Sequence, residues 1–239
     1  MLKGKYVLLS LAAALVCWQV AGVDTVNSGI VDACKSTVTA ANPGVILVCP
    51  QGDGTPLTSA IGGVNCQISL TVRDNTNTGI GGIPATDMWL IGCNDGLLLC
   101  GGSSGSNADN ATLISGATTF SNEPVAGGCD TGLYAVVQGV VIQTAGACTP
   151  TCLPIQARSP DYKSGGLPGP PACGLDLRCP DSKVTGPDFA WFSQHFSVAG
   201  SPKPYHACAD YAAPLGTITG PDFASFSSHF VGAGHKCPI

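Results

Sequence analysis

Five aspartates near the C-terminal end of the chain are spaced in a way that could hold a hard cation. Asp176, Asp181 and Asp188 fall in "DLRCPDSKVTGPD", and Asp210 and Asp222 fall in "DYAAPLGTITGPD". Calcium takes six to eight oxygen ligands. A loop that offers carboxylates at intervals and closes on an acid at the start of a helix can supply them. Both closing acids do stand at such a start. "VTGPDFAWFSQHF" (Val184 to Phe196) and "ITGPDFASFSSHF" (Ile218 to Phe230) are near copies. In each, Pro187 or Pro221 suits the first helical turn, and Asp188 or Asp222 follows where the helix dipole favours negative charge. Phe189, Phe192 and Phe196 fall at i, i+3 and i+7, as do Phe223, Phe226 and Phe230. Each set is an apolar stripe on a helix too short to stand alone in water, so the doubling lets two stripes bury each other.

Other chemistry is weaker. "HAC" (His206, Cys208) and "HKC" (His235, Cys237) put soft ligands together but lack the paired spacing of a zinc finger. "GGSSG" around Ser103 matches the spacing of a nucleophile elbow without its strand-to-helix setting, and the chain has no His before His195. Glu123 is the only Glu, and no carboxylate pair stands out for glycoside hydrolysis. His195 and His229 sit at equivalent repeat positions, where a helix C-terminus favours His. With 10 Lys and Arg in 239 residues and a net charge of −5, there is no phosphate-tracking groove, and nucleic acid is not expected as a partner. These observations predict a non-catalytic protein.

The elements that position these residues change along the chain. "MLKGKYVLLSLAAALVCWQVAG" has a basic start, an apolar core and small residues before Val23, and reads as a signal peptide over residues 1–22. The mature chain is then expected outside the cytoplasm with no membrane span. Removing Cys17 leaves twelve of the thirteen cysteines, an even set expected to be fully paired in an oxidising space. Two pairs are close enough to be local, Cys93 with Cys100 and Cys148 with Cys152, and the sequence leaves the connectivity open.

Residues 23–158 read as a β-sandwich. "CQISLTVRD" alternates, with Ile68, Leu70 and Val72 on one face. "VILVC" (Val45 to Cys49), "DMWLIGC" (Asp87 to Cys93), "GATTFS" (Gly116 to Ser121) and "LYAVVQGVVIQ" (Leu133 to Gln143) are further strands, separated by turn clusters such as "RDNTNTGIGG" and "AGGCDTG". Residues 159–239 form a second part, entered through a Pro- and Gly-rich stretch from Ser164 to Pro171 that marks a linker between separately folded units.

"TVRDNTNTGIGGIPATDMWLIGC" and "DNATLISGATTFSNEPVAGG" have the strand and turn order of bacterial immunoglobulin-like domains, which the first part resembles from about Val26 to Gln156. The resemblance implies an immunoglobulin-like β-sandwich and extracellular display. The second part, with repeats near 176–196 and 210–230, resembles a dockerin module, a pair of calcium-loop-plus-helix units. It implies calcium on Asp176, Asp181, Asp188, Asp210 and Asp222, and docking to a cohesin-like or cell-surface scaffold. It departs from that pattern in three ways. Each loop is one residue longer than a dockerin's, the second carries "AAPL" where middle donors belong, and Cys179 and Cys208 stand in or beside the loops. The fold expected is mainly β, with a small helical C-terminal module. The function expected is secreted binding and assembly, with a polysaccharide-binding subunit as the alternative.

Overall fold

The computed structural model describes residues 29–94, 96–99, 106–144, 148–161, 184–198 and 201–230. The predicted signal peptide, the Ser164–Pro171 linker, and Asp176 and Asp181 lie outside the described residues, as do Ser103, Cys100 and Cys237.

The described strands are β1 (Thr37–Ala40), β2 (Gly44–Leu47), β3 (Ile68–Thr71), β4 (Met88–Gly92), β5 (Leu97–Leu99), β6 (Ala117–Phe120), β7 (Ala126–Asp130), β8 (Leu133–Val137), β9 (Val140–Ile142) and β10 (Ile155–Arg158). Two α-helices follow, α1 (Gly186–Phe192) and α2 (Gly220–His229). The strands make three small sheets, ordered β1-β3-β6, β2-β10-β7-β5 and β4-β8-β9. Every pairing is antiparallel except that of β2 with β10. The inner faces of all three sheets close on one core, which takes Val38, Ile46, Ile68, Leu70, Met88, Leu90, Phe120, Leu133, Ala135, Val137, Ile142 and Ile155. The fold is thus mainly β, with short strands in three small sheets around one core and a small helical part at its end.

The alternation in "CQISLTVRD" holds, since Ile68, Leu70 and Val72 are buried. "LYAVVQGVVIQ" is not one long strand. It is a hairpin of β8 and β9 that turns at Gln138 and Gly139, both at positive φ (49° and 83°), and a Gly accepts such a turn without strain. "AGGCDTG", expected as a turn, contains strand β7. Its glycines hide a strand because a Cβ at Gly128 would lie 2.2 Å from the Gly96 carbonyl oxygen, so the close approach of β5 requires the bare backbone.

The disulfides differ from the local pairs expected. Among the described residues they are Cys34–Cys148, Cys93–Cys152 and Cys129–Cys208, spanning 114, 59 and 79 residues. Strand pairing brings these ends together: Leu133 and Leu153 bridge beside Cys152, and Cys93 N–H donates to Gly132 O. Full pairing also fails, since Cys49 and Cys66 are buried and carry no disulfide.

The expected boundary at residue 158 marks a change of secondary structure but no gap in packing. Asp161 O accepts from Gly128 N, so the β7 edge is still occupied beyond Arg158. A second core joins Val45, Leu47, Cys49 and Ile61 of the sandwich to Val184, Trp191, Phe192, Ala209, Tyr211, Ile218 and Phe226 of the tail. This explains "VILVC". Ile46 and Val48 face the main core, while Val45, Leu47 and Cys49 face the tail. A strand covered on both sides reads as a continuous apolar run. The two parts are fixed to each other by this core and by the Cys129–Cys208 bond.

Candidate functional site

The tail is built on its buried aspartates. Thr185 and Thr219 precede the two helices. Asp188 Oδ2 accepts from Thr185 N (2.7 Å) and Thr185 Oγ1 (3.0 Å). Asp222 Oδ2 accepts from Thr219 N (2.7 Å) in the same way. The repeated "TGPD" is therefore a helix-start device, with the acid reaching back to the residue ahead of the helix. Asp222 goes further: its Oδ1 accepts from Tyr211 N (2.7 Å) and Ala212 N (2.9 Å), which ties the start of the second loop to its end. Burial pushes the Asp222 carboxyl up from the usual 3.8, and the N–H groups of Thr219, Ala212 and Tyr211 pull it back.

Asp210 opens the second loop. Its Oδ2 accepts from Gly216 N (2.6 Å) and Tyr205 Oη (2.9 Å) and pairs with Arg158 Nη1 at 3.3 Å. Arg158 Nη1 also donates to Asp210 O at 2.6 Å. Both side chains are buried. The loop turns at Gly216 (φ 101°), the kind of sharp turn that a calcium loop assigns to glycine.

Of the five predicted ligands, Asp188, Asp210 and Asp222 are described, and all three are buried. Asp210 and Asp222 share the second loop, and Asp188 serves the first. In the second loop, Asp210 Oδ1 is buried with no hydrogen-bond partner. Both oxygens of Asp222 are taken by donors, and the guanidinium of Arg158 already neutralises Asp210. Sequence reasoning missed Arg158. Its signal was a lone Arg at the end of an apolar strand, which is rare unless the charge is paired.

The helices bury only part of their stripes. Phe192 and Phe226 stack with ring centroids 4.9 Å apart and planes 10° apart. Phe189, Phe223 and Phe230 stay 43%, 42% and 46% exposed. Phe189 lies 6.4 Å from Phe230, and Phe223 lies 5.4 Å from Phe196. On the sandwich, Phe120 is in the core. Trp89 and Tyr134 are half-buried on the outer face of β4 and β8, diagonal to each other in the register.

The twin histidines have different surroundings. His195 lies past the end of α1, bonds Pro204 O at 2.9 Å, and sits 5.1 Å from the ring of His206. His206 Nδ1 accepts from Cys208 N at 3.2 Å, so it caps the short turn that carries Cys208 into its disulfide. That disulfide removes Cys208 from any zinc site with His206. Burial first, and then the charge of His195, lower the His206 pKa from its ordinary 6.5. A lowered histidine favours the folded state when neutral. Its contribution is full above pH 6.5 and is lost as pH falls from there through the lowered folded value. Thermal melts across pH 7.5 to 4.5 are expected to show this acid-side loss, and His206→Gln should flatten it. An unchanged slope in that variant would move the effect to another group.

His229 ends α2 and reaches back to the sandwich. Its Nδ1 lies 2.6 Å from Ser225 O, and its Nε2 lies 3.2 Å from Asp53 O and 3.7 Å from Asp53 Oδ1. Cys49 lies beside them. Burial, and then the charges of Asp53 and Glu123, push its thiol well up.

No family model matches the chain, and no curated protein matches it. Among solved structures, the crystal structure of the Lin-41 filamin domain is similar at 16% identity, over 52% of this chain and 95% of that one, with a TM-score of 0.26. A score that low carries no argument, so the fold rests on the strand pairing described above. No described helix is long and apolar enough to cross a membrane.

Proposed function

We propose that the protein is a secreted, non-catalytic binding and assembly module whose contact surface is the outward ring face of its two tail helices. The observation that carries this reading is the split within the repeat. The same motif buries Phe192 and Phe226 as a stacked pair, yet leaves Phe189, Phe223 and Phe230 more than two-fifths exposed on both helices. Helices that needed only each other would bury all of these rings. Aromatic side chains left half-open on a rigid support are what binding surfaces use as anchors. The support is rigid because the tail shares a core with the sandwich and is bonded to it through Cys129–Cys208. Three disulfides among the described residues agree with an oxidising, extracellular setting.

The dockerin-like layout supports a protein partner of the cohesin type. Immobilised full-length mature chain should capture such a scaffold domain, and the double variant Phe189→Ser, Phe223→Ser should weaken capture by at least about tenfold, since a central aromatic anchor is worth about 2 kcal/mol or more. Both rings are partly exposed, so the fold should survive. Equal capture by the variant would dismiss this face. Trp89 and Tyr134 favour a second reading. They stand half-buried at diagonal register positions on an outer sheet face, where aromatic rings can stack on a polysaccharide.

A further inference from the structure

Cys49, Asp53 and His229 bring three ligand atoms to within 4.8 Å of one another where the sandwich meets the end of α2. We infer that these three side chains form a binding site for a zinc-class divalent cation, clipping the tail to the sandwich. A thiolate, an imidazole and a carboxylate are a borderline-to-soft donor set, which suits zinc and not calcium. This site uses none of the aspartates of the two loops.

The hydrogen bonds of His229 carry the argument. Ser225 O is only an acceptor, so the Nδ1 beside it at 2.6 Å bears the hydrogen. Nε2 then turns its lone pair toward two more acceptors, Asp53 O at 3.2 Å and Asp53 Oδ1 at 3.7 Å. A divalent cation seated among Nε2, Asp53 Oδ1 and Cys49 Sγ would take up that lone pair. The metal reading matches the usual second partner of a ligating histidine, a backbone carbonyl on the other nitrogen. The 3.7 Å between Nε2 and Oδ1 is close to the separation that a tetrahedral ion with bonds of about 2.0–2.3 Å imposes.

Two further observations agree. Cys49 is one of two buried thiols among the described residues that carry no disulfide, and it alone stands beside a histidine and a carboxylate. Metal binding there would displace the thiol proton to solvent and leave a metal-bound thiolate. Gln51, in the loop between Cys49 and Asp53, has both amide atoms buried without hydrogen-bond partners, so this loop has unmet polar demand. Asp53 is 52% exposed and gives the ion a way in. With three protein ligands, the fourth position is left to water.

The test uses tag-free mature chain with its disulfides intact, stripped with chelator and handled without oxygen, titrated first with cobalt(II) and then with zinc. Cobalt should give sulfur-to-metal charge-transfer absorption, and one equivalent of zinc should erase it. Cys49→Ser should abolish the band. If that variant does not fold, Asp53→Asn still decides, because its side chain is exposed. It should keep the natural circular dichroism while zinc binding weakens about a hundredfold, the upper end of what is lost even at groups that only support a ligand. Folded natural chain that shows no charge-transfer band, or binds zinc equally well with Asn at position 53, would overturn the site and leave His229 as a hydrogen-bonding contact of Asp53.

Discussion

A chain ending at Arg158 is expected to lose its cooperative melt. The cut falls at the end of the last described strand, yet it strips one face of β2. Val45, Leu47 and Ile61 would meet water, and each buried side chain of this kind is worth about 1.5–3 kcal/mol. Cys129 would lose Cys208, and Arg158 would lose Asp210. Together these losses rival the roughly 5–15 kcal/mol that holds an ordinary domain. Residues 23–158 should therefore aggregate or melt broadly by calorimetry, while the full mature chain melts in one transition. A sharp melt of the short chain near the temperature of the full one would mean that the second core is dispensable.

The sequence signalled this dependence in one place. "VILVC" does not alternate, while "CQISLTVRD" does, and the difference is whether one or both faces of the strand are covered. Periodicity reports how many faces are buried but not what buries them, so the partner in the tail was invisible. The helices were legible because "TGPD" followed by spaced Phe combines a start signal with an apolar stripe. Which rings would stay outside was not, because that depends on where the sandwich lies. Strand β7 was hidden by its glycines, which are needed for the close approach of β5 and look like a turn. The disulfides were misjudged because nearness in sequence is a poor guide once strands reorder the chain: Cys148 lies four residues from Cys152 and pairs with Cys34. Cys49, Asp53 and His229 had no signal at all, since their spacing spans 176 residues between Asp53 and His229.

Arg158→Ala should be the most damaging single substitution at the loop, at about 3–5 kcal/mol, because it leaves the Asp210 carboxylate buried without its countercharge. The loss has two parts. Nη1 holds both the side chain and the backbone carbonyl of Asp210, so the second loop also loses its tether to β10. In a chain of this size that corresponds to a fall in Tm of roughly 10 °C. The double variant Arg158→Met, Asp210→Asn separates charge from shape. Asn can still accept from Gly216 N and Tyr205 Oη, and Met fills the stem of Arg without a buried charge. It should recover most of the loss, since a buried ion pair replaced as a unit costs far less than one broken. If the double variant is as unstable as Arg158→Ala alone, packing and not charge holds the loop. The same pair decides the fate of calcium at the second repeat. With Arg158 balancing Asp210 and backbone donors filling Asp222, millimolar calcium should leave the Tm of the natural chain in place. An ion that binds only the folded state would raise it by mass action, and a rise of several degrees would return this loop to metal binding despite its guanidinium.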